Sequence, residues 1–166
     1  MNRIDQSGRE RASFEWVLLA YRLPREPSTP RITVWRKLKR PGVAQLLDGL
    51  VALPSDARTR EQFEWIAQEV IDAHGTATVW TGLPVSVASE RDLAATMTER
   101  IAAEYRSIID EAAAAHEATL TERRRALVRL RRELHRIAQR DHFPPPEGER
   151  ARQAVRALAE LVEAAL

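Results

Sequence analysis

The sequence predicts an α+β protein: a ferredoxin-like β-α-β-β-α-β antiparallel sheet domain followed by an all-helical C-terminal region. Three observations carry this. Over residues 14–82, short apolar runs closed by proline or glycine alternate with two capped amphipathic segments. Beyond about residue 86 the strand signals stop and Ala, Glu and Arg dominate. The apolar residues of that second part recur at the spacing of packed helices. The boundaries that follow are a flexible N-terminus at 1–13, a sheet domain at 14–85 and three helices at 86–166.

"SFEWVLLAYRLP" is an apolar run ended by Pro24 and predicts a strand over residues 14–22. "REPSTP" is a turn. Ser28 or Thr29 can cap the next helix, with Pro30 in the first turn where a missing N–H costs nothing. That helix stops at Pro41-Gly42, and Ile32, Trp35 and Leu38 are its expected dry face. "VAQLLDGLVALP" holds two apolar runs around Asp48-Gly49, a pair that favours the positive φ angles of a type I′ hairpin turn. "SDARTREQFEWIAQEVIDAHG" is a second helix, with Phe63, Ile66, Val70 and Ile71 on one side and Gly75 past its end. "TATVWTG" is the last strand. Both faces of the first strand are apolar, Trp16, Leu18 and Ala20 alternating with Val17, Leu19 and Tyr21. A half-exposed sheet would not read so, and cover by the helical half or by a second subunit, a homodimer, is expected. In that half, residues 89–117 carry Leu93, Met97, Ile101, Tyr105 and Ile108. Residues 119–140 carry Leu127, Leu130, Leu134 and Ile137, and residues 149–165 carry Val155, Leu158 and Val162 after the stiff connector "DHFPPPEG".

Composition excludes several classes. With 44% apolar residues in 166, the chain can bury a core. With no cysteine, disulfides and thiolate chemistry are excluded, which fits a cytoplasmic protein. No run approaches the roughly 20 apolar residues of a membrane span, and no apolar run precedes Phe14, so neither a membrane partner nor a signal peptide is expected. The net charge is only +2, but it is unevenly spread. Residues 22–40 carry seven basic residues against one Glu, and residues 120–140 carry eight arginines against two Glu.

The first cluster is the sharper signal. Thr33, Arg36, Lys37 and Arg40 share one helical face, with Lys39 beside it. A concentrated basic face is the footprint of phosphate contact, so Arg36, Lys37, Lys39 and Arg40 are the candidate contacts to duplex DNA. The second cluster follows an acidic helix bearing Glu90, Asp92, Glu99, Glu104, Asp110, Glu111 and Glu117, and reads as pairing between two helices. Arg22, Arg25 and Arg31 stand near the start of the first helix, where free N–H groups attract anions, and form a candidate oxyanion site. His74, His116, His135 and His142 lack metal-ligand spacing, no Gly-rich phosphate loop is present, and no catalytic triad spacing occurs. No cofactor, metal or catalytic residue is expected. Trp16, Trp35, Trp65 and Trp80 read as core residues, Trp35 least securely because it adjoins the basic face.

The segments "YRLPREPS", "VWRKLKR", "DGLVALP" and "WTG" within residues 16–82, with "RRELHRIAQRDHF" at 131–143, resemble the N-terminal domain of ChrB, the bacterial chromate-resistance regulatory protein. The resemblance implies a regulatory role in chromate response exercised through DNA; full-length members continue into a further C-terminal domain, and this chain resembles their N-terminal region, as a stand-alone protein or as a fragment. The oxyanion expected at Arg22, Arg25 and Arg31 is chromate or sulfate. The family is also distantly similar to the middle domain of PaaX-type repressors and to CRISPR-associated ferredoxin-like endonucleases. Those endonucleases place a metal-binding Asp at the end of the first strand. Here "LLAYRLP" puts Tyr21 and Arg22 there, and a cation repels Mg²⁺, so the chain is expected not to be an enzyme. The alternative from another class is an oligomerising interaction module without nucleic-acid affinity.

Overall fold

The structure is a computed structural model that describes residues 14–165. The predicted N-terminal segment 1–13 lies outside the described residues. Elements follow in the order β1 (Trp16–Arg22), α1 (Thr29–Lys39), β2 (Ala44–Leu47), β3 (Leu50–Pro54), α2 (Ala57–Asp72), β4 (Thr76–Gly82), α3 (Val87–Ala115), α4 (Leu120–Ala138) and α5 (Pro146–Ala164). The chain divides into two compact units after Thr96, a point inside α3.

In the first unit, four antiparallel strands form one sheet in the order β2-β3-β1-β4. β3 lies between β1 and β2, and β1 pairs along its whole length with β4, from Trp16 opposite Gly82 to Arg22 opposite Thr76. α2 packs over β1 and β4, and α1 lies beside α2. The core is Val17, Leu19, Val51 and Leu53 from the sheet, with Val34 and Leu38 of α1 and Phe63, Ile66 and Val70 of α2. The spacing of the α2 residues is the one-sided stripe of an amphipathic helix. α2 starts in a reciprocal cap: Thr59 N donates to Asp56 Oδ1 at 2.7 Å, and Asp56 N donates to Thr59 Oγ1 at 2.9 Å. It ends with His74 in the left-handed region at φ 60°, its N–H on Ile71 O (2.9 Å), and with Gly75 N–H on Val70 O (2.8 Å). That pair of bonds is the Schellman arrangement, which usually places glycine where His74 stands.

Three expectations change. The dry face of α1 is Val34 and Leu38, one turn apart; Ile32 is 49% exposed and Trp35 only half-buried. Trp65, at 67% exposed, and Ile71 fall off the α2 stripe, and Trp80 is 62% exposed at the sheet edge, so Trp16 alone of the four tryptophans is fully core. At the hairpin only Gly49 takes a positive φ (78°), not Asp48, so the turn is not type I′. A bulge between Gln45 and Leu47 shifts the register there, which lets one left-handed residue close the turn.

The second sheet face is uneven. Trp16 is buried, and its indole N–H donates to Glu90 Oε1 at 3.4 Å, with Phe14 N on the same oxygen at 3.2 Å. Leu18, paired across from Trp80, is half-buried.

The second unit is built from the remainder of α3 with α4 and α5 around a core of Ile101, Tyr105, Ile108, Leu127, Leu130, Ile137, Val155, Leu158 and Val162. Small residues, Ala112, Ala151 and Ala159, close the gaps between them. α4 begins with its own reciprocal cap, Thr119 N donating to Glu122 Oε2 at 2.9 Å. α5 starts at Pro146 instead of 149, because proline is well suited to a helix's first position and so belongs to the helix as well as to the connector.

Candidate functional site

Two basic surfaces of the first unit correspond to the residues singled out from the sequence. The first is α1. Thr33, Arg36, Lys37, Lys39 and Arg40 are all exposed. They are not equivalent. Lys37 is ion-paired with Glu69 of α2, which ties the two helices together. Lys39 lies over the Trp35 ring, its ammonium 5.2 Å from the ring centre, a cation–π contact. Arg36 and Arg40, one turn apart at the C-terminal end of the helix, form no ion pair among the described residues and, with Lys37 paired and Lys39 held over Trp35, are the cations of this face most open to an external anion.

The second is a cleft of about 1100 Å³ at one end of the sheet. Topology assembles it. The C-terminal end of β1, the β2–β3 turn, the N-terminal end of β4 and the start of α1 all meet there. Tyr21 N donates to Gly49 O at 2.7 Å, and Arg22 pairs in register with Thr76. Arg22, Arg25 and Arg31 all line the cleft, so the three arginines proposed as an oxyanion site do converge on one cavity. None of them is ion-paired among the described residues. Asp48 is the one lining carboxylate among the described residues. Burial chiefly, and then the Asp48 charge, push the Tyr21 phenol above its usual value, while Arg31 acts in the opposite direction. Both charges are therefore felt at the Tyr21 hydroxyl.

Sequence reasoning missed Tyr21, Ile32, Trp35, Asp48 and His74 as cleft walls. The signal was present. Asp48-Gly49 and His74-Gly75 both read as element ends, and in this order of elements both ends fall beside the exit of β1. Helical period alone places Ile32 and Trp35 on the core face; it gives a face but not which neighbour meets it.

In the second unit, the expected pairing of α4 arginines with the acidic α3 is partly realised. Arg129 of α4 meets Glu111 at 2.7 Å, and Arg140, just past the end of α4, makes a two-pronged contact with Glu104. Arg124, Arg125 and Arg132 instead face a shallow groove with the exposed Val128 between them.

The family model that describes the N-terminal region of protein ChrB matches residues 31–165. The chain belongs to this ChrB N-terminal family. Membership extends beyond the sheet unit through α4 and α5, so the helical unit is part of the family's pattern and not an appendage. It associates the chain with chromate resistance. No curated protein and no solved structure matches the chain. Among the described residues no helix is long and apolar enough to cross a membrane, and no three His, Asp or Glu side chains are grouped to hold a metal ion.

Proposed function

We propose that this ChrB-family chain is a non-enzymatic cytoplasmic regulator of chromate response that binds duplex DNA through the basic face of α1. The observation that carries this reading is the pair Arg36 and Arg40, exposed one turn apart and without an acidic partner among the described residues, on a helix whose other side is anchored by Val34 and Leu38. A rigid helix presenting guanidinium groups to solvent suits the spaced phosphates of a duplex. Tyr21 and Arg22 at the end of β1 supply no carboxylate for a metal, which counts against nuclease chemistry. We read the sheet as ferredoxin-like, with β3 inserted between the strands that α1 connects.

The test is binding to random-sequence duplex DNA at two salt concentrations, with wild type and an Arg36/Lys37/Arg40→Ala variant. Wild-type binding that weakens in high salt and is lost in the folded variant is the expected outcome. Equal binding by the folded variant, or none by wild type, overturns the assignment.

One observation favours a second, compatible reading. Trp80, Leu83 and Val85 are exposed in sequence along the end of β4 and its exit, an apolar strip that a second copy in a homodimer would cover. Sedimentation of wild type and Trp80→Ser tests it; a monomeric wild type overturns it.

A further inference from the structure

The cleft at the end of the sheet is far larger than a tetrahedral oxyanion needs. Its volume of about 1100 Å³ is that of sites for larger organic ligands. Its walls also differ from those of a simple anion trap. Three arginines supply forked donors, which match phosphate oxygens two at a time. Tyr21 and Trp35, both half-buried, present aromatic surface to the same space. Asp48 would repel a bare dianion, yet suits the hydroxyl and amino donors of a sugar or a base. A ligand satisfying all three kinds of wall has an anionic group, a flat aromatic group and hydrogen-bond donors between or beside them.

We propose that this cleft binds a nucleoside monophosphate, with Arg25 and Arg31 on the phosphate, Trp35 and Tyr21 against the base, and Asp48 accepting from the ribose or the base edge. The charges are arranged for it. Lys39, which does not line the cleft, holds its ammonium over the ring of Trp35, which does, and enters no ion pair among the described residues. With arginines at 22, 25 and 31 against one carboxylate, the lining is electropositive. A single-stranded nucleic-acid end bearing a 5′-phosphate offers the same chemistry as a free nucleotide, and the experiment separates the two. The proposal stands apart from the duplex reading, because none of Arg36, Lys37, Lys39 or Arg40 lines the cleft.

The test is calorimetric titration of the whole chain with AMP, adenosine, sodium sulfate, sodium chromate and a 5′-phosphorylated dinucleotide. AMP is expected to bind at least tenfold more tightly than adenosine, sulfate or chromate, and to weaken with added salt. Arg25→Gln combined with Arg31→Gln should weaken AMP binding at least tenfold, and Trp35→Leu should do the same with the circular dichroism spectrum unchanged. Arg25 and Arg31 are exposed, so the first variant keeps the fold and remains decisive if Trp35→Leu does not. Arg36→Ala with Arg40→Ala should leave AMP binding as it is, whatever happens to duplex binding. Tighter binding of the dinucleotide than of AMP identifies the strand end as the ligand; the reverse identifies the free nucleotide. Sulfate or chromate binding as tightly as AMP would reduce the cleft to an oxyanion site and sink the proposal. So would the absence of AMP binding, or unchanged binding by the folded arginine variant.

Discussion

Gly49 and His74 both take left-handed backbone conformations, at φ 78° and 60°, and both stand on the wall of the same cleft. The two residues differ in what the conformation costs. Gly49 has no side chain to strain, and a Cβ added there would collide with the Tyr21 carbonyl oxygen, so the turn requires glycine for two separate reasons. His74 carries the strain itself, in a Schellman position that glycine would fill without cost. Gly49→Ala is therefore expected to destabilise by about 1–2 kcal/mol from the φ angle alone, and by more once the β1 carbonyl is displaced. His74→Gly should leave stability equal or raised. Urea titration followed by tryptophan fluorescence checks both, since all four tryptophans lie in the sheet unit. A Gly49→Ala midpoint equal to wild type would show that the turn relaxes freely. Asp48-Gly49 was legible as a turn because Gly is needed there for local reasons. His74 was not, because histidine, though more tolerant of positive φ than most residues, adopts it too seldom to mark a left-handed position.

Among the elements, those whose neighbours are implied by their own pattern were legible, and those whose neighbours are chosen by the fold were not. The α2 stripe of Phe63, Ile66 and Val70 is broad enough to have one reading, and it is the buried face. In the helical unit, Ile101, Tyr105 and Ile108, with Leu127, Leu130 and Ile137, were marked by spacing and are the core. α1 is short, with apolar residues at 32, 34, 35 and 38 that allow two faces. Packing beside α2 buries Val34 and Leu38, leaving Ile32 and Trp35 to the cleft. Polar ties between elements leave still less trace. The hydroxyl of Tyr105 in α3 donates to Asp141 Oδ2, just past α4, at 3.0 Å. Burial, and then this bond, push the Tyr105 phenol up to about 12 from 10.0. Burial likewise pushes Asp141 above the ordinary carboxylate value, so its charge at neutral pH works against folding and the Tyr105 donor offsets part of that cost. For the phenol, both folded and unfolded chains hold the proton below pH 10. Between pH 10 and about 12 the unfolded chain releases it first, so stability falls as pH rises through that window. Thermal unfolding across the window should show this loss in wild type. Tyr105→Phe should be less stable by about 1 kcal/mol at neutral pH and lack the alkaline slope that the phenol contributes. An unchanged slope in the variant would remove Tyr105 as its source.

Taken across the whole molecule, a net charge of +2 conceals how differently individual cations are employed. Lys37, Arg129 and Arg140 are consumed in ion pairs with Glu69, Glu111 and Glu104, and their charges are largely answered within the protein. Arg36 and Arg40 are not paired among the described residues, so they retain full attraction for an external phosphate. Counting basic residues along the sequence treats Arg36 and Lys37 alike; the Glu69 partner, 32 residues away, makes the difference. This gives the duplex reading a quantitative consequence. Each phosphate neutralised by a cation contributes about 0.9 to the slope of log affinity against log salt. Arg36→Ala and Arg40→Ala should each reduce that slope by close to this amount. Lys37→Ala should reduce it by clearly less, because an ammonium already held by a carboxylate neutralises less phosphate charge and so displaces fewer of the counterions condensed on the DNA. Fluorescence anisotropy of a labelled random duplex over a salt series, one substitution at a time, measures all three slopes. Lys37→Ala matching Arg36→Ala would mean that DNA displaces Glu69 and takes the lysine. Three unchanged slopes would move the phosphate contact off α1 and onto the open arginines of α4, Arg124, Arg125 and Arg132, where the same series on substitutions at those positions would find it.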